Sequence, residues 1–449
     1  MTAFRPDTFA GRRFAVVGLG RAGGAACRAL LAMGASVMAW DDDPAARDPA
    51  LPIADPIGRD YDALILSPGI PHLLPAPHPA AADARARFKP ILTDAELLFQ
   101  AVRANGSAAR FAGITGTNGK STTTALLAHS LGQAGLPVAA GANLGPAALA
   151  LPLLPDDGVY CLEMSSYMLE RLATLRFDAA AMLNLSPDHL DRHAGMDGYA
   201  AAKRHIFDRQ TASDTAVLGI DDPASAGMAA TLRGPRVIRV SGHAPADLYA
   251  EGTLLRDQLG PWLDFREAHA LPGAHNAQNA AAAAALALSL GVTRDAIVAG
   301  LRSFPGLPHR QQRVAVIEGV AFVNDSKATN ADAAARALGC YRRLIWIAGG
   351  IGKEGGIAPL APFFPRIAEA LLIGRDAPGF AATLAAHRVP HRVVETLDEA
   401  VPEAFRAARH LSAPVVLLSP AAASFDQFTG FEQRGERFAT LAAGLRVCA

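Results

Sequence analysis

The chain has 449 residues with 42 Lys+Arg against 42 Asp+Glu, so its formal net charge is zero. No bulk positive field exists to hold a polyanion by counterion release, which disfavours nucleic acid as the main partner. Hydrophobic residues make up 51%, charged residues only 19%, with 41 Gly and 31 Pro, the profile of an Ala-rich, loop-punctuated globular α/β protein and not of a disordered one. At about 100–200 residues per domain, the length predicts several domains, and three are expected. Cys27, Cys161, Cys340 and Cys448 are scattered without pairing, which argues against a disulfide framework or a structural zinc and for a reducing cytosol. The N-terminal stretch lacks the apolar core of a signal peptide. The longest apolar run, Ala280 to Leu288, falls far short of the ~20 residues of a membrane span, so a cytoplasmic protein with no membrane partner is expected.

In chain order, Phe14 to Gly18 reads as a buried strand, followed by a Gly-rich turn, a helix over Ala25 to Met33 and a second strand over Ser36 to Trp40. A strand over Ala63 to Leu66 ends in Ser67-Pro68-Gly69, and the spacing predicts a doubly wound nucleotide-type domain over residues 1–98. Pro71 to Pro90 shows no periodicity. A helix over Thr93 to Arg103 leads into the strand Phe111 to Thr115 and a second α/β block, 99–305, with strands at Val159 to Glu163, Ala179 to Leu183 and Ala216 to Ile220. The Pro/Gly-rich connector Leu301 to Pro308 is the expected hinge. Beyond it, strands at Val314 to Ile317, Leu344 to Ala348, Ala370 to Ile373, Arg392 to Val394 and Val415 to Ser419 alternate with helical segments, predicting a third parallel-sheet domain over 306–449.

The strongest chemical signal is Gly113-Ile-Thr-Gly-Thr-Asn-Gly-Lys-Ser-Thr122, placed after a strand and opening a helix predicted over Thr122 to Leu131. Such a loop turns backbone N–H groups toward phosphates, with Lys120 reaching a terminal phosphate and Ser121 or Thr122 positioned for Mg²⁺. It departs from strict P-loop spacing because Ile114 stands where the first glycine would be. Glu163 closes a strand, where α/β enzymes present functional groups, and His189 lies in Asn-Leu-Ser-Pro-Asp-His. Near a triphosphate both are plausible Mg²⁺ ligands, although either alone is more often a satisfied polar residue. By the same standard Lys203 reads as a surface lysine, and Phe425 and Phe431 as core. Gly18-Leu-Gly20-Arg-Ala-Gly23 is a weak GxGxxG that invites a nicotinamide enzyme, with Asp41 where a ribose-binding acid would sit. That reading leaves residues 113–353 unexplained.

The segments Thr115 to Thr122, Glu163-Met-Ser-Ser-Tyr167, Asn184 to Arg192, Tyr199 to Phe207, His275-Asn-Ala-Gln-Asn279 and Asp325-Ser-Lys-Ala-Thr-Asn330 occur in the order found in Mur ligases. The chain resembles that family over essentially its whole length. Those enzymes form amide bonds at the expense of ATP in cytoplasmic peptidoglycan precursor synthesis. Among them, the segment Leu418 to Gly435 is most similar to members that add glutamate to UDP-N-acetylmuramoyl-L-alanine, and the Asp-Asn-Pro-Arg motif of diaminopimelate-adding relatives is absent. A folylpolyglutamate synthase, which also adds glutamate after a similar loop, is the alternative within the superfamily; the uridine-type first domain argues against it.

The resemblance implies an α/β fold of three domains: a Rossmann-like N-terminal domain for the UDP-substrate, a central P-loop ATPase-type domain with a parallel or mixed sheet, and a Rossmann-like C-terminal domain for the amino acid. It implies ATP as co-substrate on Gly116, Thr117, Asn118, Gly119, Lys120, Ser121 and Thr122, with Asn276 and Asn279 near adenine. Arg310 and Asp325 are brought to the nucleotide by the third domain. Two Mg²⁺ ions are implied, one near Ser121 and Glu163, the other held by His189 and by Lys203 as a CO₂-derived carbamate. Gly20, Arg21, Asp41, Asp42, Ser67, Gly69, Asn143 and His189 fall to the UDP-substrate, and Thr329, Lys353, Ser424, Phe425 and Phe431 to glutamate. Lys120, Lys203, His189 and Lys327 are the expected catalytic groups, and a monomer is expected.

Overall fold

A computed structural model describes residues 2–188, 190–353 and 355–445; His189 and Cys448 lie outside them. Chain packing divides the protein into two compact units: residues 1–268 with 274–304, and residues 269–273 with 305–449. The boundary after Phe304 falls inside the Pro/Gly-rich connector.

The first unit carries two sheets. A four-stranded parallel sheet has the order Ser36–Trp40, Arg13–Val17, Ala63–Leu66, Ile91–Leu92. The expected first helix begins earlier than its apolar pattern, at Arg21, immediately after the glycine turn, and runs to Ala32. The stretch Pro71 to Pro90 contains a helix, Pro79–Ala86, hidden from periodicity by its alanines and started by His78, whose ring accepts the Ala80 N–H at 3.1 Å.

The second sheet has nine strands, ordered Gly260–Asp264, Leu254–Asp257, Leu248–Glu251, Arg236–Ser241, Thr215–Gly219, Ala179–Met182, Arg110–Thr115, Val159–Glu163, Val138–Ala142. Pairing is parallel from Val138 to Tyr249, and the two edge hairpin strands are antiparallel, so the sheet is mixed. Arg110–Thr115 sits inside the sheet, and its apolar side chains are buried. One continuous hydrophobic core spans both sheets, running from Phe14 and Val16 of the first through Leu97 and Leu98 to Phe111, Tyr160 and Leu162 of the second. Phe99 meets Phe111 edge to face at 5.2 Å, and Phe111 stacks on Tyr160 at 4.7 Å. The buried Glu96 carboxylate locks the same junction by accepting the N–H groups of Ala173, Thr174 and Leu175 at 2.9–3.0 Å.

The second unit has a six-stranded sheet ordered Gln312–Ile317, Val320–Asn324, Val415–Leu418, Leu344–Gly349, Ile367–Ile373, His391–Glu395. It is not the wholly parallel sheet expected: Gln312–Ile317 pairs antiparallel with its neighbour, because only the turn Glu318-Gly319 separates them and a parallel pair needs a long crossover. Alternate side chains of Leu344–Gly349 feed opposite cores, Trp346 toward Leu338 and Phe364, Ile345 and Ile347 toward Val401 and Phe438. Among the described residues no helix is long and apolar enough to cross a membrane.

Candidate active site

At the C-terminal end of Arg110–Thr115 the chain turns through Gly116 to Gly119 and enters the helix Lys120–Gln133, two residues earlier than the sequence pattern suggests. The first turn of that helix leaves its N–H groups without intrahelical acceptors and directs them, with the positive end of the helix dipole, at the loop. Gly119 caps the helix at φ +85°, and a Cβ there would lie 2.2 Å from Asn279 Oδ1. A left-handed residue with a Cβ costs about 1–2 kcal/mol before any clash. Gly119→Ala is therefore expected to weaken ATP binding by about tenfold or more while the sheet core stays folded, as read by nucleotide titration alongside thermal unfolding.

Lys120 Nζ donates to the carbonyls of Gly116 and Thr117, both at 2.9 Å, arching over the loop. The loop is stitched to the segment after the neighbouring strand. Asn118 N donates to Asn184 Oδ1 at 2.9 Å, Asn184 Nδ2 returns a bond to Asn118 O at 3.1 Å, and Ser186 N donates to Thr117 Oγ1 at 3.0 Å. Asn184, which opens the segment Asn184 to Arg192, stands just past a strand's C-terminal end. Ser121 is buried and Thr122 partly so. Asn276 and Asn279 are both buried at the start of the helix Ala274–Ser289, and Asn279 Nδ2 donates to Asn276 Oδ1 at 3.1 Å.

Lys203 corrects its surface-lysine reading. It lies on the helix Met196–Arg204 with 2% exposure, and its Nζ donates to Gly116 O at 2.9 Å and Thr115 Oγ1 at 3.4 Å, above the Tyr199 ring at 4.7 Å. Burial, reinforced by the charge of Lys120, holds its pKa well below the usual lysine range, against the opposing pull of Asp188 and Glu163. An amine so placed has a neutral, nucleophilic form within reach.

Glu163 ends its strand with 2% exposure. Its Oε1 accepts Asn143 Nδ2 at 2.6 Å, while Oε2 is buried with no hydrogen-bond donor. A buried carboxylate oxygen without a donor is costly, and a hard divalent cation is the partner its chemistry fits. Among the described residues no cluster of three His, Cys, Asp or Glu side chains forms a metal centre by itself.

A pocket of about 240 Å³ lies between the two sheets of the first unit, lined by Gly20, Arg21, Ser67, Asp94, Asn143 and Met168. Arg21 Nη2 donates to Asn143 O at 3.3 Å, so the far end of this pocket adjoins Glu163 through Asn143. Ser67 Oγ donates to Gly18 O at 2.7 Å, and a Cβ on Gly23 would stand 1.8 Å from that same carbonyl, which explains the glycine spacing as packing. Asp41 braces the turn, its carboxylate accepting Leu19 N at 2.6 Å and Asp43 N at 3.0 Å. Asp42 is exposed off the pocket wall and bonds His78 at 2.9 Å; Gly69, also off the wall, accepts Arg192 Nη1 at 3.1 Å.

In the second unit, Asp325 is buried at the end of its strand, accepting Gln311 N at 3.1 Å and Ser419 Oγ at 2.7 Å. Burial pushes its pKa up to about 7 against the opposing pull of these bonds and of Arg310. Lys327 Nζ lies over the Phe431 ring at 4.9 Å. Arg434, 1% exposed and unremarked in the sequence, ties this loop together: Nε donates to Ser326 Oγ at 3.0 Å, Nη2 to Ser326 O at 2.8 Å and to Ala422 O at 3.1 Å. Thr329 is half-buried on the same loop, its N–H bonded to Lys327 O at 2.9 Å. Ser424 is buried, and Phe425, 72% exposed, corrects its reading as core. Lys353 instead opens on a pocket of about 310 Å³ with Asp376, Phe380 and Thr383, whose wall does not include Ser424, Phe425 or Phe431.

Residues 114–287 match the Mur ligase middle domain. The chain is 51% identical to the UDP-N-acetylmuramoylalanine--D-glutamate ligase of Paramagnetospirillum magneticum, covering 96% of each chain, and 47% identical to that of Rhodospirillum rubrum, covering 97% of this chain and 95% of the relative. In fold it is similar to the UDP-N-acetylmuramate-alanine ligase of Thermotoga maritima, with a TM-score of 0.62 at 17% identity over 97% of this chain and 99% of that one. Full-length identity of this size, joined to a nucleotide loop flanked by a buried lysine and an unsatisfied carboxylate, places the chain in the Mur ligase family, in the group of the UDP-N-acetylmuramoylalanine--D-glutamate ligases.

Proposed function

We propose that this protein joins D-glutamate to UDP-N-acetylmuramoyl-L-alanine at the expense of ATP, giving UDP-N-acetylmuramoyl-L-alanyl-D-glutamate, ADP and phosphate, in the cytoplasm and as a monomer. The observation that carries this reading is the run Arg21, Asn143, Glu163, Lys203, Lys120, which leads from the inter-sheet pocket to the mouth of the phosphate loop. A carboxylate carried by a ligand of that pocket thus has a path toward a γ-phosphate held by the loop. It attacks phosphorus, ADP leaves, and an acyl phosphate results. The neutral amine of glutamate then attacks the acyl carbon, and the tetrahedral intermediate expels phosphate.

The work of the side chains is positional and electrostatic. Lys120 and the N–H groups at the head of its helix neutralise phosphoryl charge. Asn143 orients Glu163, and Lys327 offers positive charge on the loop that receives the amino acid, with Thr329, Lys353, Ser424, Phe425 and Phe431 as the glutamate-binding set. Arg310 and Asp325 are assigned to the nucleotide, and Gly20, Arg21, Ser67, Gly69, Asp41 and Asp42 to the UDP moiety, Asp41 through the turn it braces. On this reading residues 1–98, 99–305 and 306–449 serve the UDP-substrate, ATP and glutamate respectively.

Mg²⁺ is general for ligases of this kind and, when bound, offsets the charge of the transferred phosphoryl group. Glu163 and Ser121 would hold one ion. Lys203 as a carbamate, with His189, would hold a second, because a carbamate offers an anionic oxygen where an ammonium would repel the metal.

Phosphate release by the purified protein with ATP, Mg²⁺ and UDP-N-acetylmuramoyl-L-alanine tests the assignment directly. Turnover is expected with D-glutamate and not with L-glutamate, L-alanine or diaminopimelate. Turnover independent of glutamate would refute it.

A further inference from the structure

Arg171 is 3% exposed at the junction of the two sheets in the first unit. Its Nε donates to Tyr167 O at 2.8 Å and its Nη1 to Leu66 O, while Nη2 is buried with no acceptor. Long cationic side chains are rarely buried unless paired, and this one has two carbonyls and no carboxylate hydrogen bond among the described residues.

Its bonding partners are the residues that immediately precede the pocket wall. Leu66 precedes Ser67, and Tyr167 precedes Met168, and both Ser67 and Met168 line the 240 Å³ pocket. Asp94, a third lining residue, is close enough to act on the Arg171 charge. The guanidinium therefore stands directly behind that wall.

Two further side chains, from segments that follow strands of the nine-stranded sheet, meet the same loop of the first sheet. Glu170 Oε2 lies 3.9 Å from His72 Nε2, and its Oε1 bonds His193 Nδ1 at 3.1 Å, with His193 Nε2 bonded in turn to Ser166 Oγ at 2.9 Å. Arg192 donates to Gly69 O. Arg171 and Arg192 thus hold residues 66 and 69 by hydrogen bonds, with Glu170 facing His72 beside them and Arg171 the innermost.

We propose that Arg171 is a positioning residue for the UDP-bearing substrate: it fixes the Leu66–His72 loop against the central sheet and sets a positive potential behind a pocket that receives a nucleoside diphosphate. The inference rests on the functional reading above for the nature of the ligand. The pocket walls come from both sheets, so a clamp between them acts on this ligand and leaves the phosphate loop alone.

The experiment compares wild type, Arg171→Met, Arg171→Lys and Arg192→Ala by calorimetric titration with UDP and, separately, with ADP, together with KM for UDP-N-acetylmuramoyl-L-alanine and for ATP. Wild type that binds no UDP would refute the functional reading, whatever the variants do. With UDP bound by wild type, Arg171→Met is expected to weaken UDP binding and raise the UDP-substrate KM by about tenfold or more, and Arg171→Lys to fall between. ADP affinity and the ATP KM are expected to stay within about twofold, since Arg171 shares no hydrogen-bond partner with the phosphate loop. If Arg171→Met does not fold, the decision passes to Arg171→Lys and Arg192→Ala, at a half-buried position, each expected to weaken UDP severalfold at constant ADP affinity. Equal losses for both nucleotides, or no loss for either, would overturn the proposal and leave Arg171 a structural arginine.

Discussion

Lys203→Ala is expected to lower phosphate release by about 100-fold or more, the size of effect seen when one preorganised charge at a transition state is lost. Millimolar formate, acetate or propionate should restore part of that loss. Lys203 is a side chain at 2% exposure whose amine bonds Gly116 O, the same carbonyl that Lys120 uses. Burial is the main penalty on its ammonium form, and repulsion from the Lys120 ammonium on the same carbonyl adds to it, so the neutral amine is favoured. A neutral amine can attack the carbon of CO₂, lose a proton and become an N-carboxylate. Removing the side chain leaves a space of carboxylate size beside Glu163 and the loop, which a small carboxylate can enter. A lysine whose role was only to fill the core would give a variant of lowered stability that no carboxylate rescues. Activity at wild-type level would remove Lys203 from the mechanism altogether.

Glu163→Gln should lower turnover by at least about 100-fold and raise the Mg²⁺ concentration needed for half-maximal rate, because the amide replaces an anionic oxygen with a group that hard cations bind weakly. Thermal stability without Mg²⁺ should hold or rise. In the wild type, Oε2 is a buried charged atom with no donor, and neutralising such a group relieves a desolvation cost. Loss of turnover with unchanged stability and a shifted Mg²⁺ optimum marks a metal ligand. Loss of both together would mark a residue that serves the fold through its 2.6 Å bond to Asn143. The two variants test opposite sides of the proposed site, in which Lys203 would begin as a neutral amine and become an anionic carbamate while Glu163 serves as a carboxylate throughout.

Much of the chain was legible in its sequence because the signals are local. Strands such as Ser36–Trp40 and Ala63–Leu66 announce themselves as apolar runs closed by Gly, Ser or Asp. The phosphate loop is legible because a tight turn that opens a helix requires glycines at fixed offsets, and Gly119 shows why at its own position. Pro79–Ala86 and the edge strands between Leu248 and Asp264 were not legible. Alanine carries no amphipathic contrast, and strands of only four or five residues, some with a single buried position such as Leu255 or Leu263, offer too few positions for alternation to register.

By itself, the sequence determined the α/β class, the nucleotide loop and the family, each written in contiguous residues or in motifs in a fixed order. Tertiary structure alone decided that Lys203 is buried beside Gly116, that Glu163 keeps an oxygen without a donor, that Asp325 is buried deeply enough to sit near neutrality, and that Arg171 and Arg434 are inside. The physical reason is the same in every case. A charged side chain looks like surface in any local window, and only its long-range partners, such as Leu66 for Arg171 or Ser326 for Arg434, decide whether it is withdrawn from water and put to use.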